Sequence, residues 1–143
     1  RSMPSPSMAT FDAPNREVCT VRRSQTNTPL QALVTLNDPV YIETAQALAR
    51  RAVKETATEK ADQVVAHMFQ LALVRPPKAS EVAPLTRFYE QAYRAFLQDA
   101  AGAKALATEP IGAPEQGSDI ISLAAWTAVA NVVLNLDEIF QKP

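Results

Sequence analysis

Glycine is scarce in this chain, with three among 143 residues. Tight hairpins draw on glycine's freedom to adopt positive φ, so the shortage argues against strands joined by short turns and favours helices. There is one cysteine, Cys19. A single cysteine excludes an internal disulfide, a C-x-x-C-H haem attachment and a cysteine-rich metal site, and reads as a small buried residue. There is one histidine, His67, and its sequence neighbours Val65, Ala66 and Met68 supply neither a nucleophile nor an orienting carboxylate. It falls at the edge of an apolar stripe, where a surface or boundary role is expected. No apolar run reaches the length of a membrane span. No glycine-rich phosphate loop, H-E-x-x-H or G-x-S-x-G occurs, so no catalytic, cofactor-binding or metal-binding constellation is visible.

Charge of one sign is also missing in bulk. The net charge is −1, which supplies no drive toward nucleic acid or an anionic membrane. The distribution is uneven, however. Residues 1–28 hold four arginines against Asp12 and Glu17, leaving the acidic excess to the remainder. The chain opens RSMPSPSMATFDAP, without an initiator methionine, and is expected to be a C-terminal piece of a longer polypeptide.

What is present is a series of helix signals. Thr28 precedes Pro29 and Asp38 precedes Pro39. A Thr or Asp oxygen accepts from the first free N–H groups of a helix, and proline suits the first helical position because its missing N–H costs nothing there. Proline also disfavours α geometry in the residue before it, so one helix must end at Asp38 before the next begins. A short helix over 29–36, with Leu30, Leu33 and Val34 on its apolar face, is predicted. A second follows over 39–54, with Tyr41, Ala45, Leu48, Ala49 and Ala52 inward and Gln46, Arg50, Arg51 and Lys54 off that face.

A third helix is predicted over 59–74, ending at Arg75-Pro76-Pro77. A fourth is capped by Ser80, carries a stripe of Val82, Leu85, Phe88, Tyr89, Ala92 and Phe96, and fades in the alanine-rich run before Ala107. Residues 108–117 read as a loop or insertion. The last helix, over 119–140, is apolar nearly all round and therefore belongs at the centre, with Trp126 buried beside the second or third helix. Residues 1–25 read as an extended arm, with one short strand possible over 15–25. The expected fold is all-α, about five helices in an antiparallel bundle around a buried C-terminal helix, spanning residues 26–143.

Few residues stand out as sites. Asn131 and Asn135 share a line on the last helix, as a docking seam or as interhelical hydrogen bonds that fix register. Arg16, Arg22 and Arg23 are candidates for holding an anion or for structural pairing. Asp137 and Glu138 fall at the predicted end of the last helix, where its dipole disfavours carboxylates. A cation is therefore expected beside them. Spare positive charge in the arm makes Arg22 or Arg23 the expected partner of Asp137, Glu138 or Asp38, and leaves Arg16 as the anion contact.

The run FDAPNREVCTVRRSQTNTPLQALVTLNDPVYIETAQALARR, with its FDAP, paired Arg22-Arg23, TNTPLQAL and LNDP, resembles the C-terminal domain of unknown function of exported planctomycete proteins. LAAWTAVANVVLNLDEIF at 123–140 resembles the C-terminal helix of the same family, and the likeness weakens across 99–118. The resemblance implies an exported or periplasmic protein with an upstream cytochrome c-like module carrying haem c. In that reading the present domain is a non-catalytic module that packs against or positions the cytochrome c-like domain, its partners being other domains of the parent polypeptide and a redox partner. The rival readings are the C-terminal part of an enzyme acting on complex polysaccharide, with its catalytic residues upstream, and a cell-surface assembly domain.

Overall fold

The computed structural model describes residues 10–13, 26, 28–56 and 60–140. Among the described residues there are seven helices and no strand, so the fold is all-α. The helices are α1 (Pro29–Asn37), α2 (Pro39–Thr56), α3 (Ala61–Leu73), α4 (Ala79–Gln98), α5 (Ala100–Thr108), α6 (Ile120–Leu134) and α7 (Asp137–Phe140). Of the arm expected over 1–25, only residues 10–13 are described, and the strand considered for 15–25 lies outside the described residues.

The two proline caps act as their chemistry dictates. Thr28 Oγ1 accepts from the Gln31 N–H, and Gln31 Oε1 accepts in return from the Thr28 N–H, which closes a capping box on α1. Asp38 leaves the helix in extended geometry (ψ 131°), and its Oδ1 accepts from the Val40 N–H at 2.9 Å. The corner between α1 and α2 is thus made by one residue that ends the first helix and caps the second.

α6 is the hub and packs against each of α1 to α5. Alanines make the closest approach possible. Ala45, Ala49 and Ala52 of α2 meet Val129, Ala130 and Val133 of α6, together with Val64, Val65, Met68 and Phe69 of α3. A smaller cluster joins Ala103 and Ala107 of α5 to Leu123 and Ala124 of α6. Where both facing positions are small, helix axes come to the short end of the usual 8–10 Å separation.

Three predicted elements differ from the structure. The fourth helix starts at Ala79, not after a Ser80 cap. The reason is Glu81, whose carboxylate accepts from the Lys78 N–H and so fixes the helix start two residues earlier than a serine cap at 80 would. The alanine-rich run is a separate helix, α5, because the Asp99 carboxylate accepts from the Gly102 N–H and caps a new start. Gly102 is needed for that approach, since a Cβ there would sit 2.2 Å from Asp99 Oδ2. Finally, the long last helix is two helices. It stops at Leu134, where Asn135 turns at φ −95°, ψ 6°, and α7 begins at Asp137.

Candidate functional site

The first helix is turned inside out relative to its hydrophobic pattern. Leu30 and Leu33, predicted on the inner face, are 57% and 58% exposed, while Gln31 and Thr35 are buried. Polar groups win the inner face because each finds partners there. Gln31 Nε2 donates to the Thr10 carbonyl at 2.9 Å and to Thr26 Oγ1 at 3.1 Å. The Thr35 hydroxyl lies 2.9 Å from the Ala32 carbonyl and 2.5 Å from Asn135 Oδ1, and its single proton serves one of them at a time. A fully satisfied buried amide costs little, whereas an orphaned one costs roughly 1–3 kcal/mol. Leu30, Leu33, Leu36 and Val40 are left as an exposed apolar strip along α1 and the start of α2.

Asn131 and Asn135 both face this helix. Asn131 Nδ2 donates to the Leu36 carbonyl at 3.3 Å, while its Oδ1 is buried without a hydrogen-bond partner among the described residues. The arm residues close the same end of the molecule. Phe11 stacks on Phe140 of α7 at 5.4 Å and leans on Tyr41 of α2 at 5.8 Å, and Asp12 Oδ2 accepts from the Thr26 N–H and hydroxyl. The described ties between arm and bundle are therefore these aromatic contacts and the Gln31–Thr10 hydrogen bond.

The acidic end of the chain has a different setting from the one predicted. Asp137 and Glu138 open α7 instead of closing α6, so they stand at the favourable end of a helix dipole. Among the described residues the cation at Glu138 is Arg75. Its guanidinium forks between Glu81 and Glu138 at 2.7–3.0 Å and lies 5.2 Å over the Phe69 ring. Arg75 holds the Glu81 carboxyl down at about 2, with the Lys78 backbone N–H adding to the effect, and lowers Glu138 as well. Asp38 serves as a cap. Arg16, Arg22, Arg23 and Cys19 lie outside the described residues.

His67 Nε2 lies 2.7 Å from Glu55 Oε2 on the neighbouring helix, and Glu55 is lowered by Arg51 first and His67 second. Among the described residues no group of three or more His, Cys, Asp or Glu side chains is placed to hold a metal. No helix among them is long and apolar enough to cross a membrane.

A cleft of about 700 Å³ opens between α2, the 109–119 connection and the start of α6. Val53, Leu123 and Trp126 line it, with Arg50 and Lys54 on the α2 wall and Glu115 opposite. Its geometry depends on two residues that periodicity placed in solvent. Gln46 is fully buried, donates to the Leu106 and Glu109 carbonyls at 2.6 and 2.7 Å, and accepts from the Ile111 N–H at 3.3 Å. Arg50 donates to the carbonyls of Ala107, Gly112 and Ala113. Together they satisfy the orphan carbonyls at the end of α5 and hold the connection against α2. The only sequence signal for either residue was its position beside the alanine stripe Ala45, Ala49, Ala52.

A family model described as "PSD1: Protein of unknown function (DUF1553)" matches residues 1–89, covering α1 to α3 and the first half of α4. The second likeness drawn from the sequence, over 123–140, lies beyond that match. No curated protein and no solved structure matches the chain.

Proposed function

The chain belongs to this family of proteins of unknown function, and from that premise we propose that it is a non-catalytic helical module that packs against another domain of an exported parent protein. One observation carries the reading, namely the reversed face of α1. A nine-residue helix that buries Gln31 and Thr35 while exposing Leu30, Leu33 and Leu36 has spent its polar side on its own bundle. Its apolar side is left to something else. An apolar strip kept at the surface marks an interaction site more often than a packing failure.

The resemblance of the TNTPLQAL and LNDP segments to exported planctomycete proteins supplies the occupant. It is a cytochrome c-like domain, carrying haem c, upstream in the same polypeptide. The module's work in this reading is mechanical. It offers a rigid corner, capped by Thr28 and Asp38, on which the second domain seats.

The test uses the full-length parent protein purified from its native host. A c-type haem absorption spectrum is expected. The double substitution Leu30→Glu and Leu33→Glu should loosen the haem domain, seen as faster proteolysis between the domains with the bundle still folded. A parent protein without haem removes the cytochrome partner. Unchanged proteolysis in the double variant removes α1 as the docking face.

A further inference from the structure

We propose that the cleft between α2 and the 109–119 connection binds a small organic anion with an apolar body. Three observations converge on it. The cleft is lined at its base by Val53, Leu123 and Trp126, so the body of a ligand meets hydrocarbon and an indole. Its α2 wall carries Arg50, a half-buried guanidinium whose partners among the described residues are backbone carbonyls only. The end of the α5 dipole offsets part of that charge, yet Arg50 Nε is buried with no acceptor among the described residues. A cation whose partners are neutral carbonyls is a feature that a ligand carboxylate satisfies.

The third observation is that the protein carries a stand-in. Glu115 reaches from the connection to Lys54 on α2, and the two side chains are 76% and 69% exposed. Lys54 is raised by this contact and Glu115 lowered. An exposed pair of this kind is held loosely and exchanges readily. A ligand carboxylate takes the place of the Glu115 carboxylate at Lys54, adds Arg50, and lays its apolar part over Trp126. Asp119, on the same rim, is engaged at the start of α6, where its Oδ1 accepts from the Ile121 and Ser122 N–H groups.

Trp126 is the only tryptophan and reports directly. The full chain is titrated with 4-phenylbutyrate, 4-phenylbutanol and 4-phenylbutylamine while indole fluorescence is followed. The acid should give a saturable change, with the alcohol and the amine at least tenfold weaker. Lys54→Gln should weaken the acid severalfold and Glu115→Gln should tighten it, since one substitution removes the ligand's cation and the other its internal competitor. Both positions are surface residues, so both variants fold. Equal affinity for acid and alcohol, no saturable change up to millimolar acid, or an unchanged affinity in Glu115→Gln each overturns the proposal. The cleft shares no residue with the α1 face, so neither outcome bears on the docking reading.

Discussion

Tyr89 of α4 and Trp126 of α6 stack with ring centroids 4.0 Å apart and planes 19° from parallel. The Tyr89 hydroxyl and Ser122 Oγ, 3.0 Å apart, satisfy each other, and burial raises the phenol above its ordinary value. Trp126 is 4% exposed and belongs to the main core. Its stacking partner is on α4, although α2 and α3 residues share its cluster, as the sequence led one to expect. Replacing Trp126 by alanine should cost about 3–5 kcal/mol in chemical denaturation. The native emission should be blue-shifted; a solvent-like spectrum in the folded protein contradicts this packing.

The α1–α2 corner gives a smaller and cleaner expectation. Asp38→Ala removes the acceptor for the Val40 N–H without touching the core. A loss of roughly 1 kcal/mol is expected, within a range of about 0.5–2. Asp38→Asn should recover most of it, because an amide oxygen accepts equally well at a helix start. Urea melts of the three proteins decide the point.

Gln46 tests whether the 109–119 connection is held from α2. Gln46→Leu keeps the volume but strands two carbonyls and one N–H. Leaving buried polar groups without partners costs about 1–3 kcal/mol. Hydrogen exchange at Ile111 should accelerate well beyond the change at Val129 in the core. Equal acceleration at both amides would mean that the substitution acts globally and that the connection has no separate anchor.

These residues also show what was legible in advance. Thr28-Pro29, Asp38-Pro39 and the apolar periodicities of α2, α3 and α6 are local features, set by a side chain and the four backbone groups next to it, and they place most of the fold. Gln46, Arg50 and the reversed face of α1 depend on partners far along the chain. Gln46 meets carbonyls 60 and 63 positions away, and Thr35 meets Asn135 at a separation of 100. Periodicity assigns a polar residue to solvent unless its distant partner is known. Hence the α1 strip and the α2 wall of the cleft were hidden, and the separation of α6 from α7 at Asn135 with them. For the same reason nothing in the local sequence marks Arg75. It follows α3 in a turn segment and carries no pattern, yet it joins α4 to α7 through two carboxylates.

That junction has a predictable pH response. The Glu81 carboxyl titrates near 4.5 when unperturbed and is held at about 2 in the fold by Arg75 and the Lys78 N–H; Glu138 is shifted the same way by Arg75. A carboxylate whose folded value lies below its unfolded value binds fewer protons in the native state. Stability therefore rises with pH across that interval. The Arg75 junction contributes fully above about pH 4.5, and its contribution drains away as the pH falls toward about 2. Thermal melts should accordingly show a near-constant midpoint from neutral pH down to about 5 and a steep fall below it. Glu55 and Glu115 are lowered too and add to the slope, so the decisive comparison is a variant. Glu81→Gln should be less stable than the parent at neutral pH but lose less on acidification, and the two curves should converge near pH 2. Glu138→Gln should do the same to a smaller extent, since it leaves the better-buried Glu81 half of the fork intact. If Glu81→Gln runs parallel to the parent across the acid range, the carboxylate is not what links this junction to pH.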